Sequence, residues 1–304
     1  MLPASPAFEA YLAPARARPG LWRVFLAVFL TLAIWAVGIV LLVLAVAIVR
    51  IMMGMEADVG RIADLAEGGS PGAIAFILAS FWGIWPGFWL SLRLLHRQRF
   101  GTLLSPEGRT RWGEAGMGMG IALAFSLATL LPALLVEGPP ERSDVAFLPW
   151  TLWFLAFLPL VWVQAGAEEL LFRGYLIQQL AQRLRHPAFW ALPSALLFGA
   201  LHYDATLPGG GGVLYVAATT FLALSATVLT WRTGSLSAAI GLHVGINIVG
   251  VAGIGAEGLL EGSQLYVYRG GVSPALLLVD TVMHAALLAF LLSPLSPFRR
   301  ASPA

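Results

Sequence analysis

A few polar side chains stand where an apolar sequence leaves little room for them. Glu168, Glu169 and Arg173 close one apolar run, in Ala167-Glu168-Glu169-Leu170-Leu171-Phe172-Arg173. His202 closes the next, in Phe198-Gly199-Ala200-Leu201-His202. His243 and Asn247 lie inside a third, and Asp280 and His284 inside a fourth. Ionisable residues inside membrane helices are costly and mark function by default. A carboxylate beside an imidazole can take a proton from water. A second imidazole and an amide N–H can stabilise the oxyanion that forms at an attacked carbonyl. Together they point to hydrolysis of a peptide bond. The same set, as Glu168, His202 and His243, is also a zinc ligand group that leaves one position open to water. Sequence leaves both schemes standing.

Spacing decides which groups can meet. Glu168 lies 17 residues before Arg185, and His202 lies 17 after it. If the chain turns near Arg185-His186-Pro187, an antiparallel hairpin puts Glu168 and His202 at equal depth. This requires the helix to continue past the glutamates, with regular periodicity from Leu170 to Leu184. Glu169 and Arg173 are spaced i,i+4 and share a face. They can neutralise each other as a buried pair, which leaves Glu168, about 100° away around the axis, free to act. His243 and Asn247 share a face in the same way, and so do Asp280 and His284. The bland reading of Asp280 and His284 is a structural polar pair. The sharper one is a contact with the substrate or with its water path.

The elements that position these groups are membrane helices. Of 304 residues, 59% are hydrophobic and only 11% charged. A soluble domain has roughly 45–50% apolar and about 25% charged residues, so the bilayer is the expected solvent. Val24 to Val49 is free of charge and too long for a signal-peptide core. Further apolar runs lie near 72–92, 115–136, 147–167, 188–203, 213–231, 235–255 and 273–294. The expectation is an all-α polytopic bundle of about eight transmembrane helices. Residues 24–296 would form a single membrane domain with its catalytic core near 147–255. Segments 1–23 and 297–304 would be cytoplasmic.

All 18 basic residues are arginine, and their placement sets orientation. Arg16, Arg18, Arg23, Arg93, Arg97, Arg99, Arg109, Arg111, Arg183, Arg185, Arg232, Arg299 and Arg300 fall on one side. Arg50, Arg61, Arg142 and Arg269 fall on the other, with Glu56, Asp58, Asp64, Glu67, Glu137, Glu141, Asp144, Glu257 and Glu261. The arginine-rich side is expected to be cytoplasmic, so that both termini lie in the cytoplasm and the chain spans the cell (cytoplasmic) membrane. The net charge of +2 is too small and scattered for a nucleic-acid partner.

The three motifs Glu168-Glu169-x-x-x-Arg173, Phe198-x-x-x-His202 and His243-x-x-x-Asn247 resemble those of the CPBP intramembrane proteases. These are relatives of type II CAAX prenyl endopeptidases and are also called the Abi family. The resemblance covers roughly 147–255. It implies that Glu168 activates water with help from His202, and that His243 with Asn247 forms the oxyanion site. Glu169 and Arg173 would support them, and Phe198 would pack below His202. The family is commonly labelled metalloprotease, so zinc is an implied cofactor, although metal-independent glutamate catalysis is also proposed for it. The implied substrate is a peptide or protein in or at the bilayer, prenylated or otherwise.

Other intramembrane chemistries lack their residues. There is no His-Glu-x-x-His, no Gly-x-Ser-Gly and no Gly-x-Gly-Asp. With no cysteine and no lysine, thiol nucleophiles and Ser-Lys dyads are excluded. A proton-coupled transporter is a rival reading, as is a non-catalytic binding or immunity protein on the same scaffold. No internal repeat supports the transporter. His96 and His186 are expected to be solvated in basic loops. Trp22, Trp112, Trp150, Trp190 and Trp231 are expected in an aromatic belt. Trp82, Trp85 and Trp89 are expected to contact lipid or a neighbouring helix, and Gly209 to Gly212 to form a flexible loop.

Overall fold

The computed structural model describes residues 5–56, 60, 64–66, 68–184, 186–257 and 262–298. Every apolar run becomes a helix. A short α1 (Pro6–Leu12) precedes α2 (Leu21–Met52). Then come α3 (Pro71–His96), α4 (Trp112–Glu137) and α5 (Phe147–Ala181). They are followed by α6 (Ala188–Ala200), α7 (Gly211–Thr233), α8 (Ser237–Gly253) and α9 (Pro274–Leu292). Among the described residues, six helices are long and apolar enough to cross a membrane, while α6 and α8 are shorter. The result is an all-α multi-pass bundle.

Of the two short helices, α8 is enclosed by other helices, whereas α6 keeps Phe189, Leu192, Leu196 and Leu197 exposed on one face. Every residue of α8 from Ser237 to Gly245 is buried. Glycines let α4 approach it closely. A Cβ at Gly241 would collide with the Ala115 carbonyl, and one at Gly118 with the Ala238 carbonyl. Small residues of this kind are how membrane helices pack without a hydrophobic driving force. Likewise, a Cβ at Gly199 of α6 would strike Thr220 on α7. By contrast, α2 exposes Phe25, Phe29, Leu41 and Ile48 on a lipid-facing surface.

The helix that bears the glutamates continues past them, but not with the regular period expected over Leu170 to Leu184. Leu170–Leu176 is π-helical, and α5 ends at Ala181. A second π segment, Val249–Gly253, closes α8 just beyond Asn247. Single-turn π bulges of this kind often occur at functional sites. With 35 residues, α5 is about 50 Å long, well over the roughly 30 Å hydrocarbon thickness.

Three short strands gather at one end of the bundle. They are β1 (Glu141–Arg142), β2 (Ile254–Ala256) and β3 (Tyr266–Tyr268), in the order β1-β3-β2. β1 runs antiparallel to β3, and β2 parallel to it. Arg269 pairs with Glu141 there at 3.2 Å. At the other end, Arg111 donates to the Thr233 carbonyl, Arg183 to Pro19 and Arg232 to Leu292. The described arginines of the two sets thus cluster at opposite ends. Asp58, Arg61, Glu67, Arg185, Glu261, Arg299 and Arg300 lie outside the described residues.

Some expectations fail for a common reason: a basic or terminal sequence context hides burial. His96 is not solvated but 2% exposed, with its Nε2 2.8 Å from the Tyr175 hydroxyl. His186 is exposed as expected. Trp190 and Trp231 are core residues rather than belt residues, whereas Trp22 and Trp112 are exposed. Phe8, Tyr11 and Leu12 of α1 insert into the core, and Tyr11 donates to the Leu103 carbonyl at 2.8 Å.

Candidate active site

Residues Gln164-Ala165-Gly166-Ala167 lead α5 into the site. Ala165 and Ala167 are fully buried, and Gly166 has no room for a Cβ against Trp85. The small side chains set this turn deep in the bundle, so the two glutamates that follow are also inside. Glu169 is 0% exposed and Arg173 1%, with Arg173 Nη1 3.1 Å from Glu169 Oε1. The expected ion pair is present.

Glu169 does more than neutralise Arg173. Its Oε1 also lies 2.8 Å from His243 Nδ1 on α8. A carboxylate beside a guanidinium accepts, so His243 donates through Nδ1 and turns Nε2 toward Glu168. Glu168 Oε2 is 3.5 Å from that Nε2 and accepts no hydrogen bond from the described protein. The result is a chain Arg173–Glu169–His243–Glu168. Two carboxylates and one guanidinium leave one negative charge.

Phe198 is the hub around which these groups stack. The Arg173 guanidinium lies 4.4 Å from its ring centre. His202 lies tilted against it at 4.6 Å, and His243 and Phe172 meet it edge-on at 5.9 and 5.1 Å. His202 is fixed by its own helix: Nδ1 donates to the Phe198 carbonyl at 2.8 Å. That leaves Nε2 as the available nitrogen.

One cavity of about 490 Å³ collects the site. Glu168, His202, His243 and Asn247 all line it, and so do Asp280 and His284 of α9. Glu168 and His202, expected at equal depth, therefore share one chamber. A residue that sequence reasoning missed joins them. Gln164 Oε1 accepts from Asn247 Nδ2 at 2.8 Å and so aims the amide. The signal was present, since Gln164 is polar and stands one turn before Glu168.

Asp280 and His284 make a second carboxylate–imidazole pair. His284 Nδ1 is 2.9 Å from the Asp280 carbonyl and 3.2 Å from its Oδ1. The opposite nitrogen, Nε2, is buried and has no partner among the described residues. A second cavity of about 290 Å³ shares Tyr215, Ile254, Gly255, Asp280 and His284 with the first.

Among the described residues, no three His, Asp or Glu side chains come together as metal ligands. His243 presents its ring nitrogens to Glu169 and Glu168 instead of leaving one to join His202.

Comparison with known proteins agrees with the motifs. Residues 149–249 match the family model described as type II CAAX prenyl endopeptidase Rce1-like. The molecule is thus a multi-pass membrane protein in which a segment of one third of the chain is similar to the CAAX-type membrane endopeptidases. That segment contains every motif residue from Glu168 to Asn247, and Gln164, but not Asp280 or His284. Among curated proteins it resembles the uncharacterized protein YyaK of Bacillus subtilis (strain 168). The identity is 24% over 244 residues, covering 79% of this chain and 80% of that one. No solved structure matches the chain.

Proposed function

We infer that this chain is an intramembrane endopeptidase that hydrolyses a peptide bond of a membrane-associated polypeptide. The observation that carries the reading is the buried Glu168 Oε2, which has no hydrogen bond from the described residues and lines the same cavity as His202, His243 and Asn247. In the proposed reaction, Glu168 takes a proton from water as the oxygen attacks the carbonyl carbon. The tetrahedral oxyanion is held by an N–H of Asn247, whose other N–H is given to Gln164. His243, held through Nδ1 by Glu169, stands beside Asn247 on the same cavity wall. The C–N bond breaks as Glu168 returns the proton to the leaving nitrogen. His202 Nε2 accepts from the water and orients it.

Every step uses this chain's own side chains, and no metal is needed. Metal analysis of the purified protein, with chelator treatment, tests that part independently. The gathering of most described arginines at the end opposite the strands supports both termini lying on the cytoplasmic side of a cell membrane.

Purified protein in liposomes with a membrane-anchored reporter peptide tests the whole. Glu168→Gln should lower the cleavage rate by about 10²–10⁴-fold, the usual span for a lost general base. Full activity in that variant, or in His202→Ala, would sink the assignment.

A further inference from the structure

Among the described residues no strand pairs with the far edge of β2, and β2 lies along the cavity that holds Glu168 and the chamber adjoining it. Ile254 and Gly255 line the 490 Å³ chamber, and with Ala256 they also line the 290 Å³ chamber. The register pairs Gly255 with Val267 and Ala256 with Tyr268. The Glu257 N–H donates to the Tyr268 carbonyl at 3.1 Å. In a parallel pair, alternate residues turn both backbone groups to the same neighbour. Glu257 therefore shares its side with Gly255, and these two address β3. Ala256 turns its N–H and C=O the other way, and Ile254 turns its C=O the same way. The Ile254 N–H is bonded back to the Val249 carbonyl, as the last bond of α8.

Resting on the peptidase reading, we propose that the substrate segment around the scissile bond docks as an extended strand on β2. It becomes the fourth strand, after β1, β3 and β2. The physical need comes from the substrate. Where that segment is helical its carbonyls are hydrogen-bonded and shielded, so water cannot attack until it unwinds. Unwinding inside a bundle strands N–H and C=O groups that the hydrocarbon cannot satisfy. An open strand edge beside the catalytic carboxylate supplies those partners, and main-chain pairing of this type is a general mode of peptide recognition. The strand lies outside the 149–249 segment, so family likeness neither assigns nor predicts it.

The chain has no cysteine, so a single one reports cleanly. The full-length Glu168→Ala, Ala256→Cys variant is reconstituted in liposomes. It meets membrane reporter peptides that the wild type cleaves, each carrying one cysteine at successive positions around the cut. Disulfide yield should alternate with a period of two, as side chains on a strand do. In parallel, the unaltered protein is given reporters N-methylated at single amides. Methylation at alternate positions should lower kcat/KM about tenfold, the loss of one hydrogen bond, and leave the intervening positions unchanged. Cross-links spaced by three or four, or an even response to methylation, would overturn strand docking while the peptidase reading stands. If the wild type cleaves no reporter at all, the peptidase reading falls and this inference falls with it.

Discussion

Two glutamate–arginine pairs of equal spacing sit in very different surroundings. Glu107 and Arg111 meet at 2.9 Å at the entrance to α4, with side chains 47% and 28% exposed. Glu169 and Arg173 meet at 3.1 Å in the core, with side chains 0% and 1% exposed. Sequence spacing is i,i+4 in both. The outer pair is hydrated, and its arginine has further partners in Glu114 and the Thr233 carbonyl. The inner pair has lost its water, so each charge depends on the other. The inner glutamate has also acquired a task the outer one lacks, since it holds His243 by Nδ1. Burial, not spacing, turns an ordinary helix pair into part of a candidate active site.

The largest expected effect comes from breaking the inner pair. Glu169→Gln leaves Arg173 as an uncompensated buried charge, which should cost about 3–5 kcal/mol of stability. Thermal unfolding in detergent would measure it. The double variant Glu169→Leu, Arg173→Met removes both charges and should regain most of that loss. It should still be inactive, because His243 has no acceptor for Nδ1. Recovery of activity with stability would mean that Glu169 serves only the arginine.

A smaller effect should follow from disturbing the frame that holds His243. Gly241→Ala pushes a methyl into the Ala115 carbonyl on α4. Overpacking of this kind costs about 1–3 kcal/mol. The variant should unfold at a lower temperature, whereas the same change at Gly113, which has open space around it, should not.

The second imidazole ranks below these. His284 lines the cavity but touches none of the groups of the Arg173–Glu169–His243–Glu168 chain in the structure. His284→Gln keeps a polar side chain on α9. It should lower kcat/KM by about tenfold, the worth of a single hydrogen bond to substrate. A loss as deep as that of Glu168→Gln would instead make the Asp280–His284 pair part of the chemical step.

How far these roles could be read from sequence follows from the range of each contact. The eight helices were legible because apolar runs are bounded by charges, and the three motifs because ionisable residues are rare within such runs. Equal offsets from Arg185 even placed Glu168 and His202 in one chamber. The bond from Glu169 to His243 was not legible, since it joins residues 74 apart on helices whose rotation is set by packing. The π turn at Leu170–Leu176 has no composition signal, because it arises where the buried turn accommodates its neighbours. His96 was misread because the arginines around it imply water, while Tyr175 draws the ring inward. The strands are too short for alternation to show.

The outer pair should give the smallest effect, and the most useful control. Its hydrogen bonds to Arg111 hold the Glu107 carboxyl down to about 2. A folded-state value depressed in this way contributes stability above the ordinary carboxylate range and loses it as pH falls toward the folded value. Because water screens the pair, Glu107→Gln should cost less than about 1 kcal/mol at neutral pH. Relative to wild type, that difference should shrink as pH falls from the ordinary carboxylate range toward about 2. Activity should not change, as neither residue lines the cavity. If Glu107→Gln instead matched the loss from Glu169→Gln, burial would not be what separates the two pairs. Their common i,i+4 spacing would then be the cause, and the role given to the core would have to be withdrawn.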